Sequence, residues 1–198
     1  IYADKITYKK LKEFLLAEGN VKITDKEGNI LKTDKAIYDK LNGKITTYQN
    51  SKLILKEGYK LSGKNIQYNT NEKILESDEN SIFTDDEGNI IETNMFQYSI
   101  NDKLFSSLGK IKIIDINKNK YFFKEIHIDT KIKEMIGSDV SVILDQENFG
   151  VSKESDPRFA ANDIIVSKNR TSMSKGVFTV CKRRSGKCPI WSLKAKFS

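Results

Sequence analysis

Proline is almost missing from this chain of 198 residues, and both of its prolines, Pro157 and Pro189, fall late. A stretch of more than 150 residues without proline suits strands whose backbone N–H groups are all needed in hydrogen-bonded ladders. Histidine occurs once, so no HExxH motif is present, and no nucleophile elbow or phosphate loop appears either. His127 alternates with Ile126 and Ile128 and is expected to face away from them, as a surface strand residue. The two cysteines cannot complete a four-ligand zinc site, and their spacing rules out a CxxC redox pair. Apolar runs stay well short of the roughly 18 residues a helix needs to cross a bilayer. No segment keeps apolar residues at i, i+3, i+4 and i+7 through several turns, which excludes a helical fold. Asp25, Asp85-Asp86-Glu87 and Asp115 lack the ligand spacing of a calcium loop. The residues therefore predict no catalytic group, no metal and no cofactor.

What the chain does have is a period. Tyr8, Tyr38, Tyr68 and Tyr98 recur every 30 residues, and Glu27-Gly28, Glu57-Gly58 and Glu87-Gly88 keep the same interval. Other columns agree: Leu15, Ile45, Leu75, Phe105 and Met135; Ile23, Leu53, Phe83, Ile113 and Ile143; Leu31, Leu61, Ile91 and Tyr121. Several registers holding over four or five copies identify a repeat protein. Each unit carries two turn signals half a period apart, Gly28-Asn29 and Asn42-Gly43 in one copy, with Ile-, Leu-, Tyr- and Thr-rich segments between. The spacing predicts an all-β fold: 30-residue repeats of two antiparallel strands stacked into a long sheet.

Alternation between the two faces slips by one residue at Asp34-Lys35, Lys64-Asn65 and Asn94-Met95. A slip at the same place in every copy predicts a bulge or bend there. The sheet should then fold along a crease around one apolar interior. Small residues at Ala17, Thr47, Ser77, Ser107 and Gly137 form a column beside the large one. They leave a lengthwise groove, or they mark where the two walls approach closely.

Charge separates the chain into parts. Residues 1–150 carry 23 Lys+Arg against 24 Asp+Glu, and residues 151–198 carry 11 against 3. The columns weaken after Ile143, so a boundary is expected near 150: repeats over 1–150, terminal rungs over 151–180, and a cysteine-containing hinge over 181–198. Cys181 and Cys188 flank the basic loop Lys182, Arg183, Arg184 and Lys187. In an oxidising compartment they are expected to form a disulfide, with each other or with a segment outside this chain. Trp191, Leu193, Ala195 and Phe197 alternate like the start of an outer-membrane barrel strand. A basic cluster on a neutral body suggests a local anionic partner, and no RNP-like motif or basic helix points to nucleic acid. The chain starts at Ile1 without a signal segment, so a signal has been removed or the sequence is an excerpt. No polar cap precedes the first copy. Its strand edge, at Ala3, Ile6, Tyr8, Phe14 and Val21, is expected to pair with another chain.

Ala3–Tyr8, Ala17–Ile23 and Gly28–Tyr38 read as A-D-x-I-x-Y, A-x-G-N-V-x-I and G-x-x-L-x-T-D-x-A-x-Y. They resemble the OstA-like repeats of lipopolysaccharide transport proteins. The tail from Gly176 through Cys181 and Cys188-Pro189-Ile190-Trp191 to Ala195 resembles the junction between periplasmic domain and barrel in the LptD family. The resemblance implies a β-jellyroll, or β-taco, at the periplasmic face of a Gram-negative outer membrane. It implies no enzyme activity but the conduction of lipopolysaccharide acyl chains to a barrel. Leu15, Ile23, Leu31, Tyr38, Ile45, Leu53, Leu61, Tyr68, Leu75, Phe83, Ile91, Tyr98 and Phe105 would then line the lipid groove. The N-terminal edge would receive an LptA-like bridge, the barrel an LptE-like lipoprotein, and the basic loop would meet lipid phosphates. A soluble LptA-like bridge and an extracellular polysaccharide-binding β module are the rival expectations.

Overall fold

The computed structural model describes residues 1–151, 155–182, 191–193 and 196–197. A single antiparallel sheet takes up the strands in the order of the chain. It begins with β1 (Lys5–Lys9), β2 (Phe14–Thr24), β3 (Ile30–Asp39) and β4 (Lys44–Ile54). The next three passes are each split in two: β5 (Lys60–Lys64) with β6 (Gln67–Asn69), β7 (Ile74–Ser77) with β8 (Ser81–Thr84), and β9 (Ile90–Thr93) with β10 (Phe96–Ser99). Three continuous strands follow, β11 (Leu104–Ile114), β12 (Lys120–Asp129) and β13 (Glu134–Ile143). A one-turn helix, α1 (Gln146–Phe149), precedes β14 (Arg158–Ser167), β15 (Arg170–Ser174) and β16 (Gly176–Thr179). This is an all-β, jellyroll-like architecture.

The crease lies where the slips predict it. Between β2 and β3, and again between β3 and β4, the register shifts around Asp34, and the splits fall at Asn65-Ile66 and Asn94-Met95. The returning strands bend on the same line by a device the slips do not reveal. Gly19, Gln49, Gly109 and Asp139, spaced by multiples of 30, hold left-handed φ of 76°, 64°, 106° and 51°. Because neighbouring strands are antiparallel, two rows of residues half a period apart meet on one crease. On either side of it the inward residues are those of the columns. Leu31, Ile45, Leu53, Leu61, Leu75, Phe83, Ile91, Tyr98, Phe105 and Ile113 are all buried in one cluster.

The turns form two lips parallel to the crease. On one, Asn29, Asn89 and Asn119 accept hydrogen bonds at Oδ1 from the N–H groups of Lys56, Ile116 and Asp145 in the next rung, at 3.0, 3.1 and 2.8 Å. On the other, the N–H groups of Thr70, Ile100 and Thr130 donate back to the carbonyls of Gly43, Lys73 and Lys103 at 2.7, 2.9 and 2.8 Å. Side-chain and turn bonds thus tie rung to rung along both lips, besides the ladders, except that Tyr59 stands in place of the asparagine in the second copy.

One detail differs from the reading of the sequence, and a second refines it. In the fifth copy Val142, not Ile143, pairs with Tyr121 and takes the buried place, because this copy has one residue fewer at the crease. Past residue 150 the repeat also continues. Phe159, Ala161, Ile164 and Val166 restore the inward pattern of Leu31, Thr33, Ala36 and Tyr38, 38 rather than 30 residues after Tyr121. The segment holding α1 takes up the extra length, its helix capped by the Asp145 side chain. The segments at Trp191–Leu193 and Lys196–Phe197, β17 and β18, pair with β16 and β15. The tail that resembles a barrel strand therefore lies beside the last rung. Cys181 and Lys182 precede it, while Arg183, Arg184, Lys187 and Cys188 lie outside the described residues.

Candidate functional site: the interior of the bent sheet

The small column occupies the crease, where the walls approach closely. The Thr47, Ser77 and Ser107 hydroxyls donate to the carbonyls of Ile66, Lys64 and Met95 at 3.1, 2.8 and 2.7 Å. These carbonyls lie at the bends, where the ladder is interrupted, so short hydroxyl side chains complete the hydrogen bonding there. A Cβ added at Gly137 would stand 2.5 Å from the Phe123 ring. Of the two readings of this column the structure takes the second.

Most of the residues expected to hold lipid fill the interior with one another in the middle rungs. Phe83 packs against Tyr59, Phe105 and Tyr98 at ring distances of 5.5, 5.3 and 6.1 Å. Ile23, Tyr38 and Tyr68 pack half-buried on this cluster, and Leu15 joins a smaller one around Ala17, Val21 and Ala36. Above the middle rungs the lips are joined by ion pairs at an interval of 46 residues. Lys73 lies 4.0 Å from Glu27, Lys103 lies 2.7 Å from Glu57, and Lys133 contacts Glu87 and lies 3.5 Å from Asp86. Each lysine comes from one lip and each glutamate from the other. The hydrogen bond from Lys103 holds the Glu57 carboxyl below its usual value; burial pulls Lys103 down, but that same bond together with the charges of Tyr98, Glu57 and Glu27 raises it on balance. The glutamates were visible as a sequence column. Their partners Lys73, Lys103 and Lys133 form an equally strict column, which only the fold relates to the first.

The ladder ends at Lys133, because the place of a fourth glutamate holds Asn117. Here a cavity of about 810 Å³ opens into the interior between the lips. Phe83, Ile91, Phe105 and Ile113 form its inner end; Tyr121, Ile128, Met135, Leu144, Phe159, Val166 and Met173 carry it along the later rungs. These last seven are only partly buried and face the open space from both walls. The rim is acidic on one lip, at Asp85, Asp86, Glu87 and Asp115, and on the other carries Lys131, Lys133 and Lys168 with Glu134 among them. Tyr121 donates to Asp115 Oδ2 at 2.9 Å, and burial, reinforced by that carboxylate, pushes its phenol far up. Such a volume is typical of ligand sites, which span about 300–1,000 Å³. Of the thirteen columnar residues the sequence assigned to the groove, Phe83, Ile91 and Phe105 line this cavity. The others form the packed floor and middle of the fold.

The interior also meets solvent at the N-terminal end. Ile6 and Tyr8 stand in columns that are buried or half-buried elsewhere, yet are 47% and 52% exposed. Their strand β1 pairs with β2 alone, so its outer edge is free among the described residues. Ala3 is half-buried beside it. Phe14 and Val21 lie on β2, which β3 pairs on its far side, and Val21 points into the core at 1% exposure. His127 is exposed and shared between Ser106 Oγ, 2.9 Å from its Nδ1, and Glu125, 3.0 Å from its Nε2. Among the described residues no three His, Cys, Asp or Glu side chains gather as a metal site. The chain matches no protein-family model and no curated protein.

Proposed function

We propose that this protein is a lipid conduit of the lipopolysaccharide-transport type, its bent sheet holding acyl chains at the periplasmic face of an outer membrane. One observation carries the reading: the apolar cavity beyond the end of the Glu–Lys ladder, open between two charged lips. Burying an alkyl chain contributes about 0.8 kcal/mol per methylene, so a lining of Met135, Phe159, Val166 and Met173 can retain a lipid without a charged anchor. Lysines on one lip of the rim suit the phosphates of a lipid A headgroup. The free edge of β1 supports docking of an LptA-like bridge by strand addition, which would extend the interior across the joint. The LptD-type tail, with Cys181 and Cys188 as a disulfide hinge and an LptE-like partner beyond it, belongs to the same proposal.

Mass spectrometry of protein purified from a lipopolysaccharide-producing host without detergent tests this. Lipid A in about stoichiometric amount is the expected result. Protein free of lipid that binds a glycan array would instead favour the polysaccharide-binding reading.

A further inference from the structure

On the outer face of the N-terminal rungs, three lysines stand abreast on adjacent strands. Lys22 of β2 is directly opposite Lys32 of β3, and Lys32 is directly opposite Lys52 of β4. Tyr2, 74% exposed, bridges Lys22 at the free edge and extends the row. All three lysines are exposed, and among the described residues none forms an ion pair, although Lys35 and Lys44 on the same strands each do. Like charges directly opposite each other destabilise a sheet. Two consecutive lysine–lysine pairs are thus a cost to folding, and among the described residues no carboxylate stands at ion-pair distance from them. The neighbouring row toward the lip adds Ile30 and Ile54, the latter 38% exposed, and Lys60 beside Ile54.

We propose that this row is a docking face for an anionic lipid bilayer, with the lysines at the phosphate level and Tyr2 and Ile54 at the interface. Charge complementarity and the mixture of cations with exposed tyrosine and isoleucine on a β face favour a lipid surface over a soluble polyanion, which would gain nothing from the apolar neighbours. The contact lies on the outside of the sheet and is independent of what the interior carries.

The test is flotation of the full chain with vesicles of phosphatidylglycerol and phosphatidylcholine in a three-to-seven ratio, at low salt. Each lysine near such a surface contributes about a fivefold factor in partitioning, so K22S/K32S/K52S should lose about 100-fold. The control K10S/K12S/K118S, with the same change in net charge, should lose less than threefold. Pure phosphatidylcholine should recruit neither. Equal losses in the two variants would overturn the proposal, as would tight binding to neutral vesicles or displacement from anionic vesicles by a stoichiometric oligonucleotide. Thermal melting supplies an independent readout: K32S should melt at or above the parent, and melting several degrees below it would refute the repulsion on which the inference rests.

Discussion

Separating Lys103 from Glu57 tests whether the closed part of the mouth is a weak clasp or a structural wall. The pair is short, at 2.7 Å, but Lys103 keeps 29% and Glu57 46% of its side-chain surface exposed. At this exposure solvent screens most of the Coulomb attraction, and such pairs contribute about 0.2–1 kcal/mol. A double-mutant cycle with Lys103→Met and Glu57→Gln, read by urea denaturation, should give a coupling near 0.5 kcal/mol at low salt. At 0.5 M salt it should shrink toward zero, since screening acts within a few ångströms at that strength. The pH dependence has two ends. Glu57 is lowered, so its contribution is present above the unfolded carboxyl value and disappears as pH falls through the folded one. Lys103 is raised, so its contribution is full below the ordinary lysine value and is lost as pH rises through the folded one. The coupling should therefore be flat from about pH 6 to 9 and fall off on both sides. A coupling above about 2 kcal/mol that ignores salt would refute the reasoning, because it would require a desolvated pair and a mouth that does not open.

Gly137→Ala should destabilise by about 1–3 kcal/mol in chemical denaturation, because its Cβ meets the Phe123 ring; a neutral result would mean the crease has spare room. Ser77→Ala removes the donor to the Lys64 carbonyl and the acceptor of the Glu79 N–H, and should cost about 1–3 kcal/mol by the same measurement. Tyr121→Phe should cost about 1 kcal/mol at neutral pH. Because burial raises this phenol, the parent's advantage should persist to pH 10 and decline above it, as followed by stability measured against pH. Ile6→Pro removes a donor on β1, and its circular-dichroism spectrum should stay close to the parent's while strand-addition binding to an LptA-like partner is lost.

The period, the inward columns and one of the two rows that make the crease could be read from residues alone, because they repeat identically. Leu31, Leu61 and Ile91 are buried for the reason their spacing states. The second crease row was less visible, since Gly19, Gln49, Gly109 and Asp139 share a backbone conformation but not a residue type. Lys73, Lys103 and Lys133 also adopt left-handed φ, near 60°, in turns whose sequence signal, where there is one, sits on the preceding Asn71 and Asn101. Pairings across the mouth join residues 46 apart, a separation that follows from neither the strand period nor the repeat. The cavity is hardest to foresee. It depends on where the Glu–Lys ladder stops, at Asn117, and on half-buried residues as late as Met173, beyond an insertion that hides the register. A column of large apolar residues specifies an interior; whether that interior is full or open is decided by packing across the two walls.

Photo-crosslinking of lipid at single positions tests the central claim most directly. A benzoylphenylalanine at Met135 or Val166, which line the cavity, should capture lipopolysaccharide in a producing strain, and one at exposed His127 on the outer face should not. Equal capture at His127, or none at Met135 and Val166 in folded protein, would contradict a lipid-bearing interior.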